Sequence, residues 1–127
     1  MTRSEFNAFC ESLPATTKVV QWGGAHVWKV GGKIFAISSH WGKDDGIPGD
    51  PNNRISFKCR DFSYQLLIEQ DGIVPAPYLA RAKWVQVEDQ SALTTDELKA
   101  YISAAHDIIA SKLTKKARVE LGLEDRT

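Results

Sequence analysis

Six residues carry side chains suited to holding a phosphate or stacking a base: Lys29, Arg54, Lys58, Arg81, Lys83 and Trp84. Lysine and arginine neutralise backbone phosphates, and an indole offers a flat face to an unpaired base. In RISFKCR, Arg54, Ser56, Lys58 and Arg60 alternate with Ile55, Phe57 and Cys59. In WVQVE, Trp84, Gln86 and Glu88 alternate with Val85 and Val87. Successive strand residues point to opposite faces. If Ile55, Phe57, Val85 and Val87 face a core, the cations and Trp84 lie together on the other side. That open face, joined by Lys29, is the expected binding surface, engaging DNA or RNA weakly. The competing expectation is a plain solvated face, with the tryptophan shielded by lysine stems.

Other candidates carry less chemistry. His26, His40 and His106 occur singly, without the spaced partners that a metal site needs. Asp44, Asp45 and Asp50 lack the ligand spacing and closing glutamate of a calcium loop. Ser38, Ser39 and His40 are adjacent in SSHWG, and neighbours on a strand point apart, so no nucleophile–base pair is implied. The glycines of WGGAH and VGGK lack phosphate-loop and dinucleotide spacings and fit turns. Cys10 and Cys59 alternate with or recur among apolar residues, as buried reduced thiols do. No catalytic residue, metal or cofactor is expected. A second basic group, Lys112, Lys115, Lys116 and Arg118, fits a solvated helix end that complements the helix dipole.

The elements that must position these groups follow from periodicity. Thr2 and Glu5 have the spacing of a capping box, and Phe6, Phe9, Cys10 and Leu13 fall on one helical face before Pro14. KVVQW reads as a strand, and HVWKVGGKIFAISS as a hairpin about Gly31-Gly32. Pairing Val30 with Lys33 would set Trp28 opposite Phe35 and His26 opposite Ile37. The segment from His40 to Asn53 is rich in Gly, Pro, Asp and Asn and reads as a loop. DFSYQLLIEQDG predicts a short helix with Asp61 as N-cap and Gly72 beyond its end.

In VPAPYLARAKW, Pro75 and Pro77 stiffen the chain, and Tyr78 and Leu79 are expected to fill the gap between sheet and helix. Thr94 and Glu97 predict a second capping box. It opens a long helix whose stripe is Leu98, Ile102, Ala105, Ile109 and Leu113. KKARVEL predicts a last helix. Helices before and after a meander of strands imply an α+β layer, with an antiparallel sheet and helices mainly on one face.

Composition bounds the function. The 127 residues suit one domain, spanning 1–127, and 43% are hydrophobic. Sixteen basic residues balance sixteen acidic ones, which counts against a dedicated high-affinity duplex binder. No run of apolar residues reaches signal-peptide or membrane-span length, so a cytoplasmic, membrane-free monomer is expected.

WGGAHVWKVGGKIFAI, RISFKC, VPAPYLARAKWVQV and KLTKKARVEL, in that order and at matching spacing, resemble the MmcQ/YjbR-like family. No one of the four is specific, but together they run through nearly the whole chain. The resemblance implies a CyaY-like α+β fold and a bacterial-type protein whose relatives are described as DNA-binding through a double wing. It supplies no catalytic residues. The iron binding of frataxins, which share that fold, relies on a densely acidic first helix. Here that helix offers only Glu5 and Glu11 beside Arg3, so iron is not expected. The rival expectation is a protein- or small-ligand-binding module with no nucleic-acid role and no catalysis.

Overall fold

A computed structural model describes residues 1–39, 54–77 and 79–123. Its strands are β1 (Thr16–Gln21), β2 (Ala25–Val30), β3 (Lys33–Ser39), β4 (Arg54–Lys58), β5 (Ile73–Pro75) and β6 (Trp84–Val87). Its helices are α1 (Arg3–Ser12), α2 (Asp61–Leu67), α3 (Thr95–Ser111) and α4 (Lys115–Glu120). The strands form one antiparallel sheet in the order β1-β2-β3-β4-β6-β5. The architecture is α+β, as the element order implied.

Local chemistry sets the helix starts. The Thr2 hydroxyl accepts from the Glu5 amide at 3.1 Å, and the Glu5 carboxylate accepts from the Thr2 amide at 3.0 Å. Thr94 and Glu97 repeat the arrangement at the head of α3. Each reciprocal pair satisfies amide donors that a helix start leaves unpaired. In α2 the N-cap is Arg60, and Asp61 is the first helical residue, one position on from the expected cap. Asp61 still places its carboxylate in the first turn, where the helix dipole favours it.

α3 lies across β2, β3 and β4, α1 packs against β1 and α2 against β6. The core beneath them joins Phe6, Cys10, Trp28, Val30, Phe35, Ile55, Phe57, Val85 and Val87 to Leu98, Ile102, Ala105, Ile109 and Leu113. The whole expected stripe of α3 is therefore buried. His106 is also fully buried on α3; its Nε2 lies 2.8 Å from the Pro14 carbonyl oxygen, and its ring meets Phe35 edge-on at 5.2 Å. A carbonyl accepts only, so Nε2 carries the proton. That bond ties α3 to the turn after α1.

α1 is fastened to the hairpin by polar groups. The Trp28 indole donates to Asn7 Oδ1 at 2.9 Å, which turns the Asn7 amide nitrogen towards His26 Nδ1 at 3.0 Å. Arg3 donates to the Ser38 hydroxyl and carbonyl, each at 3.0 Å. Burial, helped by the charges of Arg3 and Lys18, lowers the His26 pKa and favours its neutral ring.

The hairpin turns at Gly31-Gly32 with Val30 opposite Lys33, but the register shifts beyond it. Trp28 faces Ala36 and His26 faces Ser38, in place of the expected Phe35 and Ile37. Phe35 is the extra residue of a bulge between Lys29 and Trp28. The bulge lets Phe35 and Ala36 both join the helix-side core while Ile37 faces the other side. Gly31 has φ +59°, and a Cβ there would lie 2.6 Å from Leu113 Cδ1.

Val74 has the extended backbone expected ahead of a proline, and one further expectation changes. Val74 and Pro75 belong to β5, an edge strand where a missing amide donor is tolerated. Leu79 packs on the sheet face away from the helices, so it does not fill a gap between sheet and helix. The expected loop from His40 to Asn53, with Trp41, Asp44, Asp45 and Asp50, and also Tyr78, lie outside the described residues.

Phe57 is fully buried and stacks on Tyr101 at 5.7 Å, whereas Phe9 is only partly buried, under Lys99 at 5.8 Å. Emptying a buried Phe site costs about 3–5 kcal/mol. Phe57→Ala should therefore lower the urea midpoint strongly, and Phe9→Ala clearly less. Equal losses would show that Phe9 is a full core residue.

Candidate nucleic-acid interface

The parity expected of β4 and β6 holds. Ile55 and Phe57 pair with Val87 and Val85 on the helix side, and Ser56 and Lys58 pair with Gln86 and Trp84 on the other side. The solvent access expected of that other side does not hold throughout. Arg54 is 1% exposed and Trp84 5% exposed, and Ser56 and Gln86 are fully buried. The face is thus closed at Arg54 and Trp84, which corrects the open surface on which the sequence reading placed them.

At Trp84 the physical reason is a second, smaller core. Trp84 packs with Ala25, Val27, Ile37 and Ala76, flanked by Ile34 and Leu79. The β5–β6 connection folds back over the sheet to complete it. The Ala76 amide donates to the Trp84 carbonyl at 3.0 Å, and the Trp84 amide donates to the Leu79 carbonyl at 3.3 Å. An indole enclosed in this way has no free face for a base.

The remaining cations gather at the hairpin end of the sheet. Lys29 and Lys58 are half-buried, Lys83 likewise, and Arg81 is exposed. Lys83 sits in the left-handed region at φ +63°, closing the Ala80–Ala82 turn. Its carbonyl accepts from the Cys59 amide at 2.9 Å, and its ammonium lies 5.0 Å over the Tyr64 ring. The Lys58 ammonium donates to the Ala82 carbonyl. Burial lowers the Lys58 pKa first, the Lys112 and Lys83 charges lower it further, and Asp61 and Cys59 oppose them. Lys112, at the C-cap of α3, was grouped with the last helix on sequence alone; in space it acts on Lys58. No local pattern reveals that, because the two residues meet only through the packing of α3 on the sheet.

Arg54 stands at the opposite end of β4 from Lys58, about 13 Å away along the strand. The six candidates therefore divide. Lys29, Lys58, Arg81 and Lys83 share the hairpin end, Arg54 lies apart at the other end of β4, and Trp84, opposite Lys58, is packed into the second core. Of the second basic group, Arg118 donates to the Ser111 and Leu113 carbonyls at 3.3 and 3.1 Å and so finishes α3, whereas Lys115 and Lys116 are exposed.

The two thiols are shielded from reaction. Burial pushes the Cys10 thiol up and the Cys59 thiol up to about 12, so neither is a nucleophile near neutral pH. Both cysteines are free. Among the described residues no three metal-ligating side chains converge, and no helix is long and apolar enough to cross a membrane.

Comparison with known proteins gives a family and a fold. The chain matches the YjbR family over residues 11–108. The crystal structure of Deinococcus radiodurans protein DR2400, which carries a DUF419 domain, is similar with a TM-score of 0.79 at 22% sequence identity. The likeness covers 98% of this chain and 90% of that one. DUF419 is the same family, and at this identity the likeness establishes the fold. No curated protein matches the chain.

Because Trp84 fills a core, Trp84→Ala should behave as a packing variant. The expected cost is about 3–5 kcal/mol of stability, read as a lower urea midpoint. An unchanged midpoint would mean that the indole is surface-exposed and available for stacking.

Proposed function

The chain belongs to the YjbR family, and from that premise we propose that it binds nucleic acid weakly, through phosphate contacts made by Lys29, Lys58, Arg81 and Lys83. One observation supports this reading most. Lys58 lies within the field of both Lys83 and Lys112, so three cations from three elements converge at one end of the sheet. Gathering like charges is unfavourable, and a polyanion relieves it. Arg81, exposed on the same turn as Lys83, widens the footprint.

The proposal differs from a base-reading surface. With Trp84 in a core and Arg54 buried, the remaining contacts are charge contacts, which position a backbone and carry little sequence information. Formal neutrality, with sixteen cations against sixteen anions, keeps the long-range attraction small. Affinity in the micromolar range or weaker follows, as for non-specific binding. Two free, buried thiols suit a reducing cytoplasmic setting. The family resemblance supports the nucleic-acid class; the geometry supports the particular residues.

The test is the salt dependence of binding to a short single-stranded DNA, followed by fluorescence anisotropy. About four phosphate contacts give a log–log slope near −3, so raising salt from about 50 to 200 mM should weaken binding roughly fiftyfold. Arg81→Ala should flatten the slope by about 0.7. The control is Lys99→Ala, near the N-terminal end of α3, about 20 Å from Lys112 along the helix; it should leave the slope alone. No binding at low salt, or an equal effect of Lys99→Ala, defeats the proposal.

A further inference from the structure

Arg54 is the largest fully buried side chain among the described residues. Among the described residues no carboxylate pairs with it, and neither Nε nor Nη2 makes a hydrogen bond. Beside it, the Ser56 hydroxyl and both the Oε1 and Nε2 atoms of Gln86 are also buried and unpaired. These are five of the seven buried unpaired side-chain atoms in the described structure, and they lie on two adjacent strands. Such atoms are rare in native proteins because each carries an uncompensated desolvation cost. An arginine cannot escape that cost by losing its proton.

The backbone places them as one group. Ser56 faces Gln86 directly across the β4–β6 pair, which sets their Cβ atoms about 4.5–5.5 Å apart. Arg54 is two residues from Ser56 on the same face of β4, about 7 Å along the strand. The row continues into Ile37 on β3, opposite Ser56, and Val74 on β5, opposite Gln86. Trp84 and Val27 extend the apolar side. This is a small polar cluster bordered by apolar surface, the usual composition of a small-molecule site.

We propose that Arg54, Ser56 and Gln86 form a binding site for a small organic acid, a monocarboxylate that carries a second hydrogen-bonding group. Nε and Nη2 are the two nitrogens of one guanidinium edge, and their parallel N–H groups match the two oxygens of a carboxylate. One arginine balances one negative charge, which favours a carboxylate over a phosphate dianion. Ser56 both donates and accepts, and the Gln86 amide supplies an acceptor and a donor pair. Together they suit a hydroxyl or carbonyl next to the carboxylate. This site is separate from the cation cluster at the hairpin end and does not depend on the nucleic-acid proposal.

The test is an NMR titration of the full chain with sodium acetate, sodium lactate and sodium phosphate, against sodium chloride at matched ionic strength. Lactate should bind saturably and more tightly than acetate, shifting the Arg54 Nε–H and Gln86 side-chain amide signals. Ser56→Ala should weaken lactate by about tenfold, one hydrogen bond to a charged ligand. Arg54→Met removes an unpaired buried charge, so it should fold with at least the wild-type urea midpoint and lose lactate binding. No saturable shift with any organic acid, undiminished binding by Arg54→Met, or phosphate binding tighter than lactate overturns the proposal. So does a lower urea midpoint, or failure to fold, in both Arg54→Met and the triple variant Asp44→Asn/Asp45→Asn/Asp50→Asn. That result would assign the Arg54 charge to one of the chain's own carboxylates.

Discussion

The burial of Trp84 on the side of the sheet away from the helices is the constraint around which the far half of the molecule is arranged. An indole brings a large apolar area, and α3 covers only the opposite face. The cover comes instead from the chain that leads into β6. Pro75 ends the edge strand, Ala76 and Leu79 fold over the indole, and Lys83 takes a left-handed conformation so that the chain can re-enter the sheet. Ser56 and Gln86, next in the same face, also lie out of water. The sheet has apolar packing on both faces, although its sequence alternates as a half-solvated antiparallel sheet would.

The resulting separation is chemical as well as spatial. At one end of β4, Lys58 shares its field with Lys83 and Lys112 near water, where a charge keeps most of its solvation. At the other end, Arg54 keeps its charge inside the protein. The five residues of β4 thus span two regimes of electrostatics, one screened by salt and one not. The layers themselves are held by polar ties that bind distant parts of the chain: His106 to the Pro14 carbonyl, Asn7 to Trp28 and His26, and Arg3 to Ser38. Each of them crosses from a helix to the sheet or to the turn before it.

What the sequence made legible was mostly local. Both capping boxes, the hairpin at Gly31-Gly32, the stripe of α3 and the parity of β4 and β6 depend on residues within a few positions of one another. What it hid depended on distant ones. The bulge places the Phe35 ring against His106 on α3, some seventy positions later. Trp84 looked like a stacking platform because Ala25, Val27 and Ile37, which enclose it, lie far back in the chain. Arg54 and Lys58 carry the same charge on the same strand face, and only the tertiary cover separates a buried guanidinium from a half-exposed ammonium. Cys10 and Cys59 were read correctly because apolar neighbours report burial well; charged residues do not.

The close approach of Gly31 to Leu113 has an evolutionary consequence. The hairpin turn and the end of α3 are more than eighty positions apart, yet a Cβ at Gly31 would oblige the Leu113 side chain to shift. Asparagine tolerates the left-handed backbone that Gly31 adopts, but its Cβ would meet the Leu113 side chain. The two positions should therefore drift as a pair across the family. Relatives with a side chain at the turn should carry a smaller residue where this chain has leucine, and a lineage that changes either one alone crosses a stability valley first.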